Sequence, residues 1–122
     1  MILGIGIDLC DVERMETALA REGFLERYFS PEEQAYIRGR GKGAAQSMAG
    51  HFAAKEAALK ALGRGLALPP EQIAVTHDAS GAPRYVLCGK ALAHMQAMGG
   101  KSMHLSITHT GAAAAAVAVL EG

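Results

Sequence analysis

Several side chains in this sequence stand where their chemistry is costly unless something uses it. Asp8 closes the run Ile2-Leu3-Gly4-Ile5-Gly6-Ile7, otherwise apolar or glycine, where an ionised carboxylate needs a partner. Further on, Met48, Phe52, Leu59 and Leu62 fall within a stripe about 80° wide at 100° per helical residue. Lys55 lies inside that stripe, Glu56 at its edge, and Lys60 one turn beyond Glu56. The plain account of Glu56 and Lys60 is an i,i+4 ion pair worth about 0.3–0.5 kcal/mol. The plain account of Asp8 is a helix cap, but Asp11 is better spaced for that role. Asp8 is then free to meet Glu56, and two carboxylates converge only around a cation. Oxygen ligation with open positions is what Mg²⁺ prefers, the other positions going to waters and substrate phosphates.

Other motifs are weaker or fail. Gly4-Ile5-Gly6 begins like a dinucleotide fingerprint, but the third glycine would fall at Leu9. Gly39-Arg40-Gly41-Lys42-Gly43 has the wrong spacing for a P-loop and reads as a flexible basic loop. Beside a phosphate ligand, Arg40 and Lys42 become clamps. In His104-Leu105-Ser106-Ile107-Thr108-His109, alternation puts His109 on the apolar side at the strand end, as a core or capping histidine or a ligand contact. No G-x-S-x-G elbow accompanies it, so a serine hydrolase is not suggested.

The elements that must position these groups alternate in type. Ile2–Cys10 reads as a buried strand, and Asp11 caps a helix to about Glu22 with Val12, Met15 and Leu19 on one face. Ser30-Pro31-Glu32-Glu33 is a capping box opening a helix to about Arg38. A long helix spans Ala44 to Leu62, bulky on one face and alanine on the other, and stops at Gly63. After the connector Leu68-Pro69-Pro70, strands over Gln72–Thr76 and Arg84–Leu87 flank the turn Asp78-Ala79-Ser80-Gly81. A helix over Lys90–Met98 precedes a hairpin of His104–His109 and Ala113–Leu120. The expected class is α+β, one domain over residues 1–122, with antiparallel sheet packed on a long central helix.

Composition narrows the function. The 122 residues carry 12 Lys+Arg against 12 Asp+Glu, which argues against bulk nucleic-acid binding. Half are hydrophobic, but 24 of these are alanine, with three Phe, three Tyr and no Trp. Such a lean core, burying about 65% of the unfolded surface, benefits from oligomerisation. The longest apolar stretch, Ala112 to Leu120, is too short to span a membrane. The first residues lack the basic region of a signal peptide. Cys10 and Cys88 lack metal or disulfide spacing, so a reducing cytoplasm is expected.

Three segments together resemble a known family. Gly4-Ile5-Gly6-Ile7-Asp8 followed by Arg14, then Phe52-Ala53-Ala54-Lys55-Glu56-Ala57 with Lys60-Ala61-Leu62-Gly63, and Ser106-Ile107-Thr108-His109 are similar to the motifs of bacterial holo-[acyl-carrier-protein] synthases, the short-chain 4′-phosphopantetheinyl transferases. The resemblance implies transfer of phosphopantetheine from coenzyme A to a serine of apo acyl carrier protein, leaving adenosine 3′,5′-bisphosphate and serving fatty acid biosynthesis. It implies Asp8 and Glu56 as Mg²⁺ ligands, Lys60 at the attacked phosphate and His109 at the coenzyme A site, where the residues themselves make Lys55 and the clamps Arg40 and Lys42 further candidates. Glu56 and a metal-bound water are both candidates to take the serine proton. His51 stands where many relatives carry arginine, so a fixed charge for the coenzyme A 3′-phosphate becomes a titrating one. Arg14, Arg21 and Arg27 fall in the family's carrier-docking region. Arg14 and Arg21, seven apart, share a helix face, with Met15 and Phe24 adding apolar contact. A homotrimer with sites between subunits is also implied.

Overall fold

The computed structural model describes residues 1–63 and 67–122. Its elements are β1 (Ile2–Asp11), α1 (Val12–Ala20), α2 (Phe24–Tyr28), α3 (Pro31–Arg38), α4 (Ala44–Leu62), β2 (Ile73–His77), β3 (Pro83–Leu87), α5 (Gly89–Ala97), β4 (Ser102–His109) and β5 (Ala113–Glu121). Strands β1, β5 and β4 form an antiparallel sheet in that order, and β2 and β3 form a separate antiparallel ribbon. The class is α+β, with the long helix α4 laid against one face of the three-stranded sheet.

Small residues set that contact. A Cβ on Gly4 would lie 2.1 Å from the carbonyl oxygen of Ala61, and one on Gly6 only 1.9 Å from that of Ala57. The strand therefore rests directly on the helix backbone, and Gly4-Ile5-Gly6 is a packing motif. Ala114, Ala116 and Ala118 of β5 meet the same helix side and are buried. From Met48 to Leu62, nearly every residue of α4 is buried, so the bulky stripe and the alanine face are both covered.

The expectation that β1 is buried holds for one face only. Ile5, Ile7 and Leu9 point to the other side and are 67%, 66% and 68% exposed. Strand alternation puts the glycines on the helix and the aliphatics outward.

Two local expectations also change. Helix α1 stops at Ala20, and Gly23 then adopts φ +84°, a left-handed turn into the separate short helix α2. Asp11 precedes α1 without a side-chain capping bond; the Val12 amide donates instead to the carbonyl of Ala112. The basic loop is ordered as a 3₁₀ turn over Gly41–Gly43 that runs into α4. The capping box is present as read: Ser30 Oγ accepts from the Glu33 amide at 3.2 Å, and Glu33 Oε1 accepts from the Ser30 amide at 3.1 Å. Gly63 closes α4 with φ +69°. No helix among the described residues is long and apolar enough to cross a membrane.

Candidate active site

The end of β1 and the second half of α4 bring the predicted acidic pair together. Burial pushes the Glu56 carboxyl above the usual range, and the Asp8 carboxylate pushes it further; the Tyr28 hydroxyl and the Arg14 and Lys60 cations offset part of this. Tyr28 is itself pushed up by burial and by Glu56. Lys60 does not form the i,i+4 pair with Glu56. Its Nζ donates to the carbonyl of Ile7 at 2.9 Å and reaches Asp8 Oδ1 at 3.4 Å. The physical reason is that α4 lies so close on β1 that the strand end is nearer than the next helical turn. The result is a pair of neighbouring carboxylates in which Asp8 raises the proton affinity of Glu56, flanked by cations. The chemistry of this donor set, two carboxylates with oxygen ligands only, fits a hard divalent cation that also takes substrate oxygens.

The first half of α4 lines a second feature, a cavity of about 250 Å³. Its walls include Arg40, Ser47, His51, His77 and His109. His109 follows Ile107 on the inward face of β4, as alternation predicts, and is exposed. Gln46 Nε2 donates to the carbonyl of Thr110 at 3.0 Å, tying the start of α4 to the turn beside His109. The Arg40 guanidinium lies 5.4 Å from the centre of the Tyr36 ring. Lys42 is not in this cavity; it borders a separate shallow groove with Glu16 and Leu19. One residue of the loop therefore faces the pocket and the other turns away.

Behind the cavity is a buried polar network. Lys55, fully buried, donates to Glu33 Oε1 at 2.5 Å and to the carbonyls of Pro70 and Ile73 at 3.0 and 2.9 Å. Its three hydrogens are used inside the protein, so it holds α3 and the 70–73 turn to α4 rather than contacting a cofactor, a correction to its expected role. Glu33 Oε2 is 3.0 Å from His51 Nδ1, and His51 Nε2 is 3.1 Å from His77 Nε2. Burial tends to raise Glu33, but its bonds to His51 and Lys55 outweigh this and hold the carboxyl below the usual range. Burial pushes the His51 imidazole down. Among the described residues, no buried side-chain nitrogen or oxygen lacks a partner.

The docking residues are more scattered than their spacing suggests. Arg14 lies over Phe52, 4.9 Å from the ring centre, beside the acidic pair. Arg21 lies past the end of α1 and over Phe24 at 5.8 Å, so the two arginines do not form one helical row. Met15 is 1% exposed and belongs to the core, which removes it from any docking surface. Arg27 is exposed on α2, where its guanidinium crowds Gly23. Phe24 stacks on Tyr28 at 5.6 Å and is half-buried.

Glu33, Tyr36 and His77 are the site residues that sequence reading overlooks. The i,i+3 spacing of Glu33 and Tyr36 marks a common face of α3, but a capping glutamate is ordinarily solvated. His77 carries no local signal; only the β2–β3 turn brings it to His51.

The chain matches, over residues 4–118, the family model described as the 4′-phosphopantetheinyl transferase superfamily. It is 49% identical over 123 residues to the holo-[acyl-carrier-protein] synthase of Treponema denticola, covering all of both chains. The crystal structure of holo-[acyl-carrier-protein] synthase from Neisseria meningitidis superposes with a TM-score of 0.89 at 31% identity, covering all of both chains. That of the Helicobacter pylori synthase in complex with coenzyme A gives 0.83 at 33% identity, over 96% of this chain and 99% of that one. With a glycine-bearing strand seated on an alanine-rich helix, and a carboxylate from each meeting at its end, this chain belongs to the holo-[acyl-carrier-protein] synthase family of 4′-phosphopantetheinyl transferases.

Proposed function

We propose that this protein transfers 4′-phosphopantetheine from coenzyme A to a serine of apo acyl carrier protein in a Mg²⁺-dependent reaction. The observation that carries the proposal is the meeting of Asp8, Glu56 and Lys60 at the contact of β1 with α4. Asp8 and Glu56 would hold the cation, which when bound screens the pyrophosphate charge and orients its oxygens. Lys60, 58% exposed in its side chain and anchored on the Ile7 carbonyl, presents an ammonium to the phosphate under attack. The serine oxygen bonds to the phosphorus that carries the pantetheine arm, and the bond from that phosphorus to the bridging oxygen breaks. The bridging oxygen departs with adenosine 3′,5′-bisphosphate. Glu56, whose carboxyl holds a proton more readily than an ordinary glutamate, is suited to take the serine proton.

The pocket of Arg40, His51, His77 and His109 is proposed to take the nucleotide end of coenzyme A; the ligand named for the Helicobacter pylori relative supports this. On α4, His51 and Glu56 are about 140° apart around the axis, so pocket and acidic pair open to different sides of the helix. A ligand touching both is best served by two subunits. The exposed aliphatic face of β1, beside the half-buried Val117 and Val119 of β5, is the surface for that assembly, proposed as a homotrimer. Arg14, with Arg21 and Arg27 nearby, is proposed to meet the acidic carrier protein through salt-sensitive steering. Residues 1–122 act as one transferase domain, in the cytoplasm where coenzyme A and carrier protein are available, supporting fatty acid synthesis.

A module that binds coenzyme A without consuming it is the rival reading. Incubation with coenzyme A, Mg²⁺ and apo carrier protein, followed by chromatography, should show adenosine 3′,5′-bisphosphate released in step with carrier protein consumed. Coenzyme A bound but recovered intact would establish the rival.

A further inference from the structure

Tyr28 carries a hydroxyl that its packing does not need. Helix α2 sets Phe24 and Tyr28 four residues apart on one face, and their rings stack with centres 5.6 Å apart and planes 8° from parallel. Phe52 of α4 stacks on Tyr28 as well, at 5.0 Å and 20°, and the buried Phe29 lies tilted against it at 5.5 Å. The ring is thus set by three phenylalanines, none of which carries a polar group for the hydroxyl. Another phenylalanine would fill the place as well, whereas a half-buried phenol there must find an acceptor.

The acceptor stands one turn along α4. Phe52 and Glu56 are i,i+4 neighbours on the same helix face, with Cβ atoms about 5–6 Å apart. A ring stacked on Phe52 therefore lies beside Glu56, and the Tyr28 hydroxyl is within hydrogen-bonding reach of its carboxyl. The two cations nearby are engaged elsewhere: Lys60 donates to the Ile7 carbonyl and reaches Asp8, and the Arg14 guanidinium lies over the Phe52 ring. They act on Glu56 as charges. A phenol donates one hydrogen in one direction, so it can fix a carboxylate by one oxygen and leave the other free.

We propose that Tyr28 is a positioning residue for the transfer: clamped by Phe24, Phe29 and Phe52, it holds one oxygen of Glu56 through its hydroxyl and leaves the other for the divalent cation. This rests on the reading of Asp8 and Glu56 as cation ligands given above. A hydrogen bond behind a ligating carboxylate sets its orientation, and losing it typically costs about 10- to 100-fold in metal affinity or activity. The short helix α2 is thereby tied to the acidic pair through a side chain that touches neither substrate nor metal.

The test is Tyr28→Phe, which keeps the stacked ring and removes only the hydroxyl. Mn²⁺ titration followed by electron paramagnetic resonance, with coenzyme A present and carrier protein absent, reads cation binding without turnover. The variant should bind Mn²⁺ about 10-fold more weakly than the unaltered protein. The Mg²⁺ concentration for half-maximal transfer should rise by the same factor, and excess Mg²⁺ should restore the rate. Tm and the KM for carrier protein should stay as they are. Rescue by Mg²⁺ separates a hydroxyl that positions a ligand from one that only packs, because a disordered site would not recover. Equal Mn²⁺ affinity and equal Mg²⁺ requirement in the two proteins would overturn the proposal, as would a loss confined to the KM for carrier protein. If the unaltered protein binds no Mn²⁺ and transfers fully in EDTA, the reading of Asp8 and Glu56 fails as well. Mn²⁺ binding that is lost in Asp8→Asn but unchanged in Tyr28→Phe defeats the positioning role alone.

Discussion

At the residue scale, the proposed chemistry depends on two neighbouring carboxylates, Asp8 and Glu56. Glu56 is destabilised as an anion by burial and by Asp8, an arrangement that the proposed cation and phosphate oxygens would relieve. EDTA should abolish transfer and Mg²⁺ restore it. Asp8→Asn and Lys60→Ala should each lower kcat about 100-fold or more while far-UV circular dichroism stays unchanged. Full activity in EDTA would remove the metal from the account. Asp8 stood out in the sequence as a carboxylate ending an apolar strand and Glu56 as a charge at the edge of an apolar stripe, and the fold brings the two together. The role of Lys55 was not legible: its anomaly in the apolar stripe is resolved by Glu33, 22 residues away in sequence, whose capping pattern gives no sign that it is buried. Only the folded chain shows that Lys55 is spent on internal partners while Lys60 stays largely exposed.

At the element scale, the closeness of β1 to α4 sets the site. Gly6→Ala would drive a methyl group into the carbonyl of Ala57 and should cost about 1–3 kcal/mol or more, read from urea unfolding. Unchanged stability would mean that strand and helix are not in direct backbone contact. The buried network that fastens α3 to α4 makes stability depend on acid. Both His51 and Glu33 bind protons less readily folded than unfolded. Stability present above the ordinary histidine value of 6.5 is therefore lost as pH falls below it, and more goes below the ordinary glutamate value of 4.5. Tm should be level near pH 7 to 8 and fall in two stages toward pH 4; a Tm that rises toward pH 5 would contradict this. Helix boundaries with a strong chemical signature, such as Ser30-Pro31 and Gly63, were readable from sequence. The end of α1 was not, because Arg21 and Glu22 suit a helix and only the left-handed turn at Gly23 shows where it stops.

At the scale of the whole molecule, one sheet face is covered by α4 and the other offers Ile5, Ile7 and Leu9 to solvent. If this face is the interface of the proposed homotrimer, Ile7→Glu should give monomers by light scattering and abolish transfer while leaving the fold intact. A native-sized assembly in that variant would place the interface elsewhere. The central claim, that this protein moves a phosphopantetheine arm onto a serine, is tested most directly by intact-mass spectrometry of apo acyl carrier protein after incubation with the protein, coenzyme A and Mg²⁺. The account predicts a gain of one phosphopantetheine per carrier, absent when the acceptor serine is replaced by alanine. A carrier mass that does not change, with coenzyme A still intact, would contradict it.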